Sequence, residues 1–389
     1  MKLHLLVNIF IAFALLAAAG RNYPIYAAQD PRAVPNNKFG VHILFPSEIS
    51  DAARLVNSSG GEWGYVTIPI QAGDRDLEKW QGFMDKAKEL HMIPLIRLAI
   101  ENDYFNTRVW RKPTFADVLD FANFLNSLDW PTKNRYIVVF NEPNRGDEWG
   151  GNANPSEYAK ILSYAATVFR SRSQDFFIIT AGLDNAAANN PPISIRSYDF
   201  MRQMALFVPD IFKQVDGLGS HSYPNPGFSQ PPSRYSEQGV GSFLYERSLA
   251  KELGGKDLPV FITETGWSQE KVADYIISIY YKDVFVSLWS DENVVAVTPF
   301  LLSANAGPFT VFSLTQRDGS ATAQYTALVR LSKIKGTPIL SNETRKIVLE
   351  NLPKSVLGMR DFSNQKIYLQ SAFAEIKAFK TLLKWLLKL

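Results

Sequence analysis

Short runs of continuous apolar residues alternate along this chain with stretches whose apolar positions recur every three or four residues. The runs are Phe39–Phe45, Tyr65–Ile70, Ile93–Ala99, Tyr136–Phe140, Phe176–Ala181, Val215–Tyr223, Val260–Glu264 and Val294–Phe300. Continuity of this kind marks strands covered on both faces. Between them, Asp76–Leu90 places Leu77, Trp80, Phe83, Met84 and Ala87 on one helical face, and Phe115–Leu128 does the same with Val118, Phe121, Ala122, Leu125 and Leu128. Helix starts are marked by Asn154-Pro155-Ser156-Glu157 and by Pro113-Thr114 followed by Asp117. Eight β/α units over about 300 residues predict a parallel α/β protein, a (β/α)8 or TIM barrel. The alternative is an open doubly wound sheet. It would place a Gly-rich turn after the first strand, and Phe39-Gly40-Val41-His42 has none.

The pattern changes at both ends. Residues 1–30 carry Lys2, an apolar stretch from Leu5 to Ala19, and small residues at Ala17-Ala18-Ala19 and Ala27-Ala28. This predicts a secretory signal peptide or, as the competing reading, an N-terminal membrane anchor, although about 15 residues is short for a span that needs about 20. The expected location is secreted or cell-envelope. The barrel is expected over residues 31–335, followed by an appendage over 336–389. That appendage ends in a stretch, Glu375–Leu389, with Lys377, Lys380, Lys384 and Lys388 on one face and Ile376, Phe379, Leu383, Leu386 and Leu387 on the other. Such a helix fits either contact with a membrane surface or docking on its own domain.

Charge and composition remove several classes. Lys and Arg number 41 against 38 Asp and Glu, a net charge of +3, which gives no basis for a nucleic-acid partner. The absence of cysteine rules out disulfides, thiolate metal sites and a thiol nucleophile. Four histidines, one of them His4 in the leader, argue against a histidine-rich metal centre.

The chemistry concentrates where two of the strands stop. Tyr136–Phe140 runs into Asn141-Glu142-Pro143-Asn144, and Pro259–Thr263 runs into Glu264-Thr265-Gly266-Trp267. These are the fourth and seventh strands by count, and the C-terminal ends of barrel strands face the active site. Two carboxylates brought together there can hydrolyse a glycosidic bond, one as acid and base and the other as nucleophile. The acid needs a raised pKa, expected from burial and the neighbouring carboxylate, and the nucleophile needs hydrogen-bond donors. Asp147 and Glu148, beyond the strand end, are rival acids expected to be solvated or to structure their loop.

On these segments the chain resembles the clan A retaining (β/α)8 glycoside hydrolases. In that family the acid/base glutamate follows an Asn on strand four, commonly within Asn-Glu-Pro, and the nucleophile ends strand seven. The resemblance covers residues 39–335 in architecture and is specific at Asn141-Glu142-Pro143 and Thr263-Glu264-Thr265-Gly266-Trp267, more loosely at His221-Ser222-Tyr223. It implies Glu142 as acid/base, Glu264 as nucleophile, Asn141 on the sugar 2-hydroxyl and Tyr223 orienting the nucleophile. It also implies a carbohydrate substrate and neither metal nor organic cofactor.

Two features depart from the family pattern. Strand two ends Thr67-Ile68-Pro69-Ile70 and lacks the Arg that many members place against the nucleophile; Arg97 on strand three either takes that role or pairs with a core acid. Strand eight ends Thr298-Pro299-Phe300 where many members have Trp. Trp110, Trp149 and Trp267 are expected as stacking platforms for sugar rings, and Trp63 and Trp80 as packing. His221 is expected to bind sugar hydroxyls, and His42 either does so or is a satisfied core histidine. A catalytically silent carbohydrate-binding protein and a metal-dependent barrel hydrolase are the competing functional readings.

Overall fold

The computed structural model describes residues 27–100, 108–304 and 307–341. Eight short parallel strands form two sheets: β1 (Gly40–His42), β2 (Gly64–Gln71), β3 (Met92–Ala99), β4 (Arg135–Val138) and β5 (Phe176–Ile179) in one, β6 (Leu218–His221), β7 (Val260–Glu264) and β8 (Val294–Val297) in the other. Two seams join them into a ring. A parallel bridge links Ile179 to Gly217 and another links Phe39 to Val297. Backbone bonds from Val297 N to Lys38 O and from His42 N to Pro299 O, at 2.9 and 3.0 Å, extend the second seam. The fold is the expected (β/α)8 barrel.

Eight α-helices occur among the described residues: α1 (Ile49–Val56), α2 (Leu77–Glu89), α3 (Phe115–Ser127), α4 (Pro155–Arg172), α5 (Ser197–Phe207), α6 (Ser242–Gly254), α7 (Asp274–Val286) and α8 (Ala323–Arg330). Their starts follow the sequence. Asp76, Thr114 and Asn154 each accept a bond from the amide three residues on, and the Asp117 carboxylate in turn accepts from the Thr114 amide. Such reciprocal caps satisfy amides that a helix start leaves open.

Strand parity divides the core. On β3, Met92, Ile96 and Leu98 pack outward against the helix layer, whereas Ile93 and Leu95 pack inside the barrel. The same inward parity continues to Arg97, one turn of the pleat nearer the C-terminal end. Inside, Tyr65, Tyr136, Phe177 and Phe261 form a ring of aromatic contacts, with centroids 5.0 Å apart for Tyr136–Phe177 and 5.6 Å for Phe177–Phe261. This layer is the solid floor beneath the strand ends.

Residues past 335, expected to begin an appendage, continue across the opposite end of the barrel. Lys335 bridges Glu62, and Leu340 bridges Thr132. The N-terminal apolar segment, the strand-like pieces at 346–349 and 366–370, and the 375–389 helix lie outside the described residues.

Candidate active site

The C-terminal ends of β3, β4, β6 and β7 surround a cavity of about 290 Å3. Both glutamates line it. One carboxylate oxygen of each, with one ring nitrogen of His221, lies within 4.8 Å of the others.

Glu142 stands on a strained backbone. After β4 the chain turns with Phe140 at φ 71° and Glu142 at φ 32°, a region non-glycine residues avoid. Neighbouring bonds fix this turn: Val139 N donates to Ile179 O at 3.0 Å and Glu142 N to Gly182 O at 3.1 Å. Backbone strain held by its surroundings is characteristic of functional positions. The Glu142 carboxyl accepts from His221 Nδ1 at 2.8 Å and from Arg145 Nη1 at 3.1 Å. His221 presses so closely on the segment after β5 that only glycine fits there; a Cβ on Gly182 would lie 2.1 Å from His221 Cδ2.

Glu264 ends β7 and accepts on both oxygens, from Arg97 Nη1 at 2.8 Å and from the Tyr223 hydroxyl at 3.1 Å. Arg97 donates from the same nitrogen to the Asn141 side-chain oxygen. This turns the amide NH2 of Asn141 free to donate elsewhere. Of the two readings for Arg97, the structure shows contact with the strand-seven glutamate.

The electrostatics correct one expectation. Burial pushes the Glu142 carboxyl up, but the hydrogen bond and charge of His221, then Arg145 and Arg97, outweigh it and hold the pKa below the ordinary value. His221 moves the other way. Burial opposes its charge, yet Glu264 and Glu142 together raise its pKa. The proton sits on the Glu142–His221 pair and is drawn toward the imidazole. Tyr223 keeps its proton, because burial and the two carboxylates push its pKa well up.

His42 lies on β1, fully buried, with Nε2 3.8 Å from Glu264 Oε1 and its ring edge-on to Phe300 at 5.0 Å. Burial, then the charges of Arg97 and His221, hold it neutral. Neither ring nitrogen makes a hydrogen bond to the described residues. It borders the cluster from behind and is not a satisfied core histidine.

Two expected platforms are corrected. Trp149 and Trp267 are 1% and 0% exposed and neither lines the cavity. Trp149 packs against Phe140 and Tyr158, and Trp267 against Tyr281 and Trp289. Both large rings bury against the helix layer, Trp149 on Tyr158 of α4 and Trp267 on Tyr281 of α7. Trp110 does line the cavity. The remaining aromatic surface comes from Phe300, Phe309, Phe312 and Phe228, of which only Phe300 was identifiable from strand position. Asp147 structures its loop as expected, held by Arg145 through bonds at 3.1 and 2.5 Å. Glu148, expected to be solvated or to structure its loop, lines the cavity with Oε2 buried and without a hydrogen bond among the described residues.

Glu142, His221 and Glu264 have the spacing of metal ligands. Two guanidinium groups already occupy both carboxylates, Arg97 at 2.8 Å and Arg145 at 3.1 Å. A divalent cation would enter against these fixed positive charges, so the donor set fits an ion-paired acid site better than a metal centre.

No protein-family model and no curated protein matches the sequence. Solved structures do match the fold. They include a family 39 glycoside hydrolase from the gut symbiont Bacteroides cellulosilyticus WH2 (17% identity, TM-score 0.51, 78% of this chain and 64% of that one). A GH39 β-xylosidase from Caulobacter crescentus aligns at 15% identity and TM-score 0.54 over 81% of this chain and 76% of that one. A family 51 α-L-arabinofuranosidase from Bifidobacterium longum aligns at 12% identity and TM-score 0.51, again over 81% and 76%. The chain spans less than two thirds of the first of these. At these identities the likeness establishes the shared barrel fold.

Proposed function

We propose that this protein is a retaining glycoside hydrolase that cleaves β-linked glycosides by double displacement, with Glu264 as nucleophile and Glu142 as acid/base. The observation that carries the reading is the approach of the two carboxylates to within 4.8 Å at the ends of β4 and β7. Retaining enzymes hold their carboxyls about 5–5.5 Å apart, whereas inverting ones leave about 6.5–9.5 Å for a water. The solved glycoside hydrolases sharing the barrel are compatible with this reading.

In the first step a Glu264 oxygen attacks the anomeric carbon while the bond to the leaving oxygen breaks. Glu142 passes the proton of the Glu142–His221 pair to that oxygen. Arg97 and Tyr223 donate to the attacking carboxylate and set its orientation. Asn141, its oxygen held by Arg97, offers its NH2 to the neighbouring sugar hydroxyl. Once Glu264 is esterified its negative charge is gone. Because that charge is what most strongly favours the proton on His221, the pair then holds a proton less tightly. Glu142 therefore stays ionised and deprotonates the water that releases the sugar. The N-terminal pattern supports a site of action outside the cytoplasm or in the cell envelope.

The test is a panel of aryl β-glycosides and β-linked polysaccharides. At least one should be cleaved by the full chain, and Glu142→Ala and Glu264→Ala should each lose at least about 10³-fold in kcat/KM on it, as removal of a reacting group does. Wild-type rates from both variants would sink the assignment.

A further inference from the structure

Among the described residues that line the cavity, Glu148 is the acid for which no hydrogen bond or ion pair is made. It lies six residues beyond Glu142, between the Arg145–Asp147 ion pair and Trp149, which is anchored in the core. The loop is thereby pinned on both sides, and the Glu148 side chain faces the cavity. The cation on its own loop is already used. Arg145 bonds Glu142 and both oxygens of Asp147 and lies 4.0 Å from Asp184. Arg97, a buried guanidinium on β3, is taken by Glu264 and Asn141. Glu148 Oε2 is buried without any hydrogen bond. An ionised oxygen in that position costs far more than a neutral one.

The surroundings oppose ionisation in the same sense. Facing Glu148 are Glu142, Arg145 and Asp147 from its own loop and Arg97 from β3. Asp184, His221 and Glu264 border the same cavity, and Arg108 stands at its rim. Burial first and the charge of Glu142 second push its pKa up to about 7. The cavity is otherwise rich in carboxylate acceptors, and sugar hydroxyls need acceptors and donors alike.

We propose that Glu148 is a substrate-binding residue that presents a neutral carboxyl and donates its O–H to a sugar hydroxyl in the cavity. The bound hydroxyl in turn supplies the partner that its buried oxygen lacks. The role rests on the glycoside hydrolase reading.

Two measurements on the full chain test it. The first needs no substrate. Infrared difference spectra between about pH 5 and about pH 9 should show protonated carboxyl bands lost with midpoints about 7, one from Glu148 and one from the buried Glu246, also about 7. Glu148→Gln should remove one of these and Glu246→Gln only the other; retention of both in Glu148→Gln overturns the neutral carboxyl. The second uses the aryl β-glycoside that the panel shows to be cleaved fastest. Glu148→Ala should lower kcat/KM about tenfold, the equivalent of one hydrogen bond. Glu148→Gln, which keeps a donor, should stay within about threefold of wild type and decline less steeply than wild type above a pH of about 7, the remaining decline being deprotonation of the Glu142–His221 pair. Wild-type behaviour of Glu148→Ala, or a loss in Gln equal to that in Ala, overturns the proposed role and leaves the hydrolase reading standing. Absence of cleavage of every panel member overturns the hydrolase reading and the role together.

Discussion

The substitution Gly182→Ala probes the acid/base pair without touching either member of it. A methyl at this position would lie 2.1 Å from His221 Cδ2 and 2.6 Å from Nε2. Carbon atoms settle at about 3.5–4.0 Å, so the imidazole must retreat by roughly 1.4 Å or more. The backbone cannot yield easily, because the Gly182 carbonyl accepts from the Glu142 amide at 3.1 Å. The ring moves instead, and its 2.8 Å bond to Glu142 opens past the limit of about 3.2 Å for a good N–H···O contact. A bond to a charged group is worth about 1.5–3 kcal/mol, which converts to a factor of about 10–100 in rate. A misplacement near 1 Å gives a similar figure independently, about 10²-fold. The expected result is a kcat/KM lower by about 10–100-fold on a cleaved aryl glycoside. Overpacking should cost a further 1–3 kcal/mol or so of stability in denaturant titration. Because the His221 contact is what most counters burial at Glu142, its loss raises the pKa of that acid, and the alkaline limb of the pH profile should move to higher pH. The double variant Gly182→Ala/His221→Ala should regain the stability, since the clash is gone, while activity stays low. Gly182→Ala with wild-type kcat/KM and an unmoved pH profile would refute the reasoning.

Two further outcomes follow from buried groups outside the reaction. Glu246 on α6 bonds Ser220 behind His221, and burial raises its pKa from 4.5 to about 7. Below pH 4.5 folded and unfolded states both hold the proton; as pH rises through about 7, stability falls by up to roughly 3 kcal/mol, at about 1.36 kcal/mol per pH unit separating the two pKa values. The unfolding free energy of Glu246→Gln, relative to wild type, should therefore improve by that order between about pH 4 and about pH 8; a difference that stays constant with pH would contradict the assignment. Trp267, buried against Tyr281 and Trp289, should behave as a packing residue: Trp267→Phe lowers the melting temperature while KM stays within about twofold, and a large rise in KM at unchanged stability would return it to the substrate site.

Much of this arrangement was legible because strand parity and helix caps are local. The β7 run Val260–Glu264 has the predicted bounds, and Asp76, Thr114 and Asn154 cap helices as their spacing indicates. The run expected over Val215–Tyr223 shortens to Leu218–His221, and within it the ladder shifts register between Ser220 and His221. The site proved less legible than the frame. His221 meets Glu142 across 79 residues of chain, and that contact reverses the expected shift of the acid. Arg145 carried a faint signal, three residues past Glu142 in a turn, where a cation can fold back onto the acid. Proximity in sequence misled for Trp149 and Trp267, which follow the catalytic segments but turn into the helix layer. Glu148 was misplaced for the opposite reason. A lone acid in a loop is solvated by default, and only the ion pairs that use up Arg145 and Arg97 reveal that one oxygen of this half-buried acid, Oε2, is shut from solvent without a partner among the described residues.

The division of labour between the two glutamates is tested most directly by removing the nucleophile and offering a small replacement. Glu264→Gly should be nearly inert toward an activated aryl β-glycoside, and sodium azide should restore turnover by occupying the space that the carboxylate leaves. Attack from that side, with Glu142 still in place, predicts an α-glycosyl azide as the product seen by NMR. A β-glycosyl azide, or rescue that appears in Glu142→Gly with inverted product but never in Glu264→Gly, would contradict the assignment of Glu264 as nucleophile.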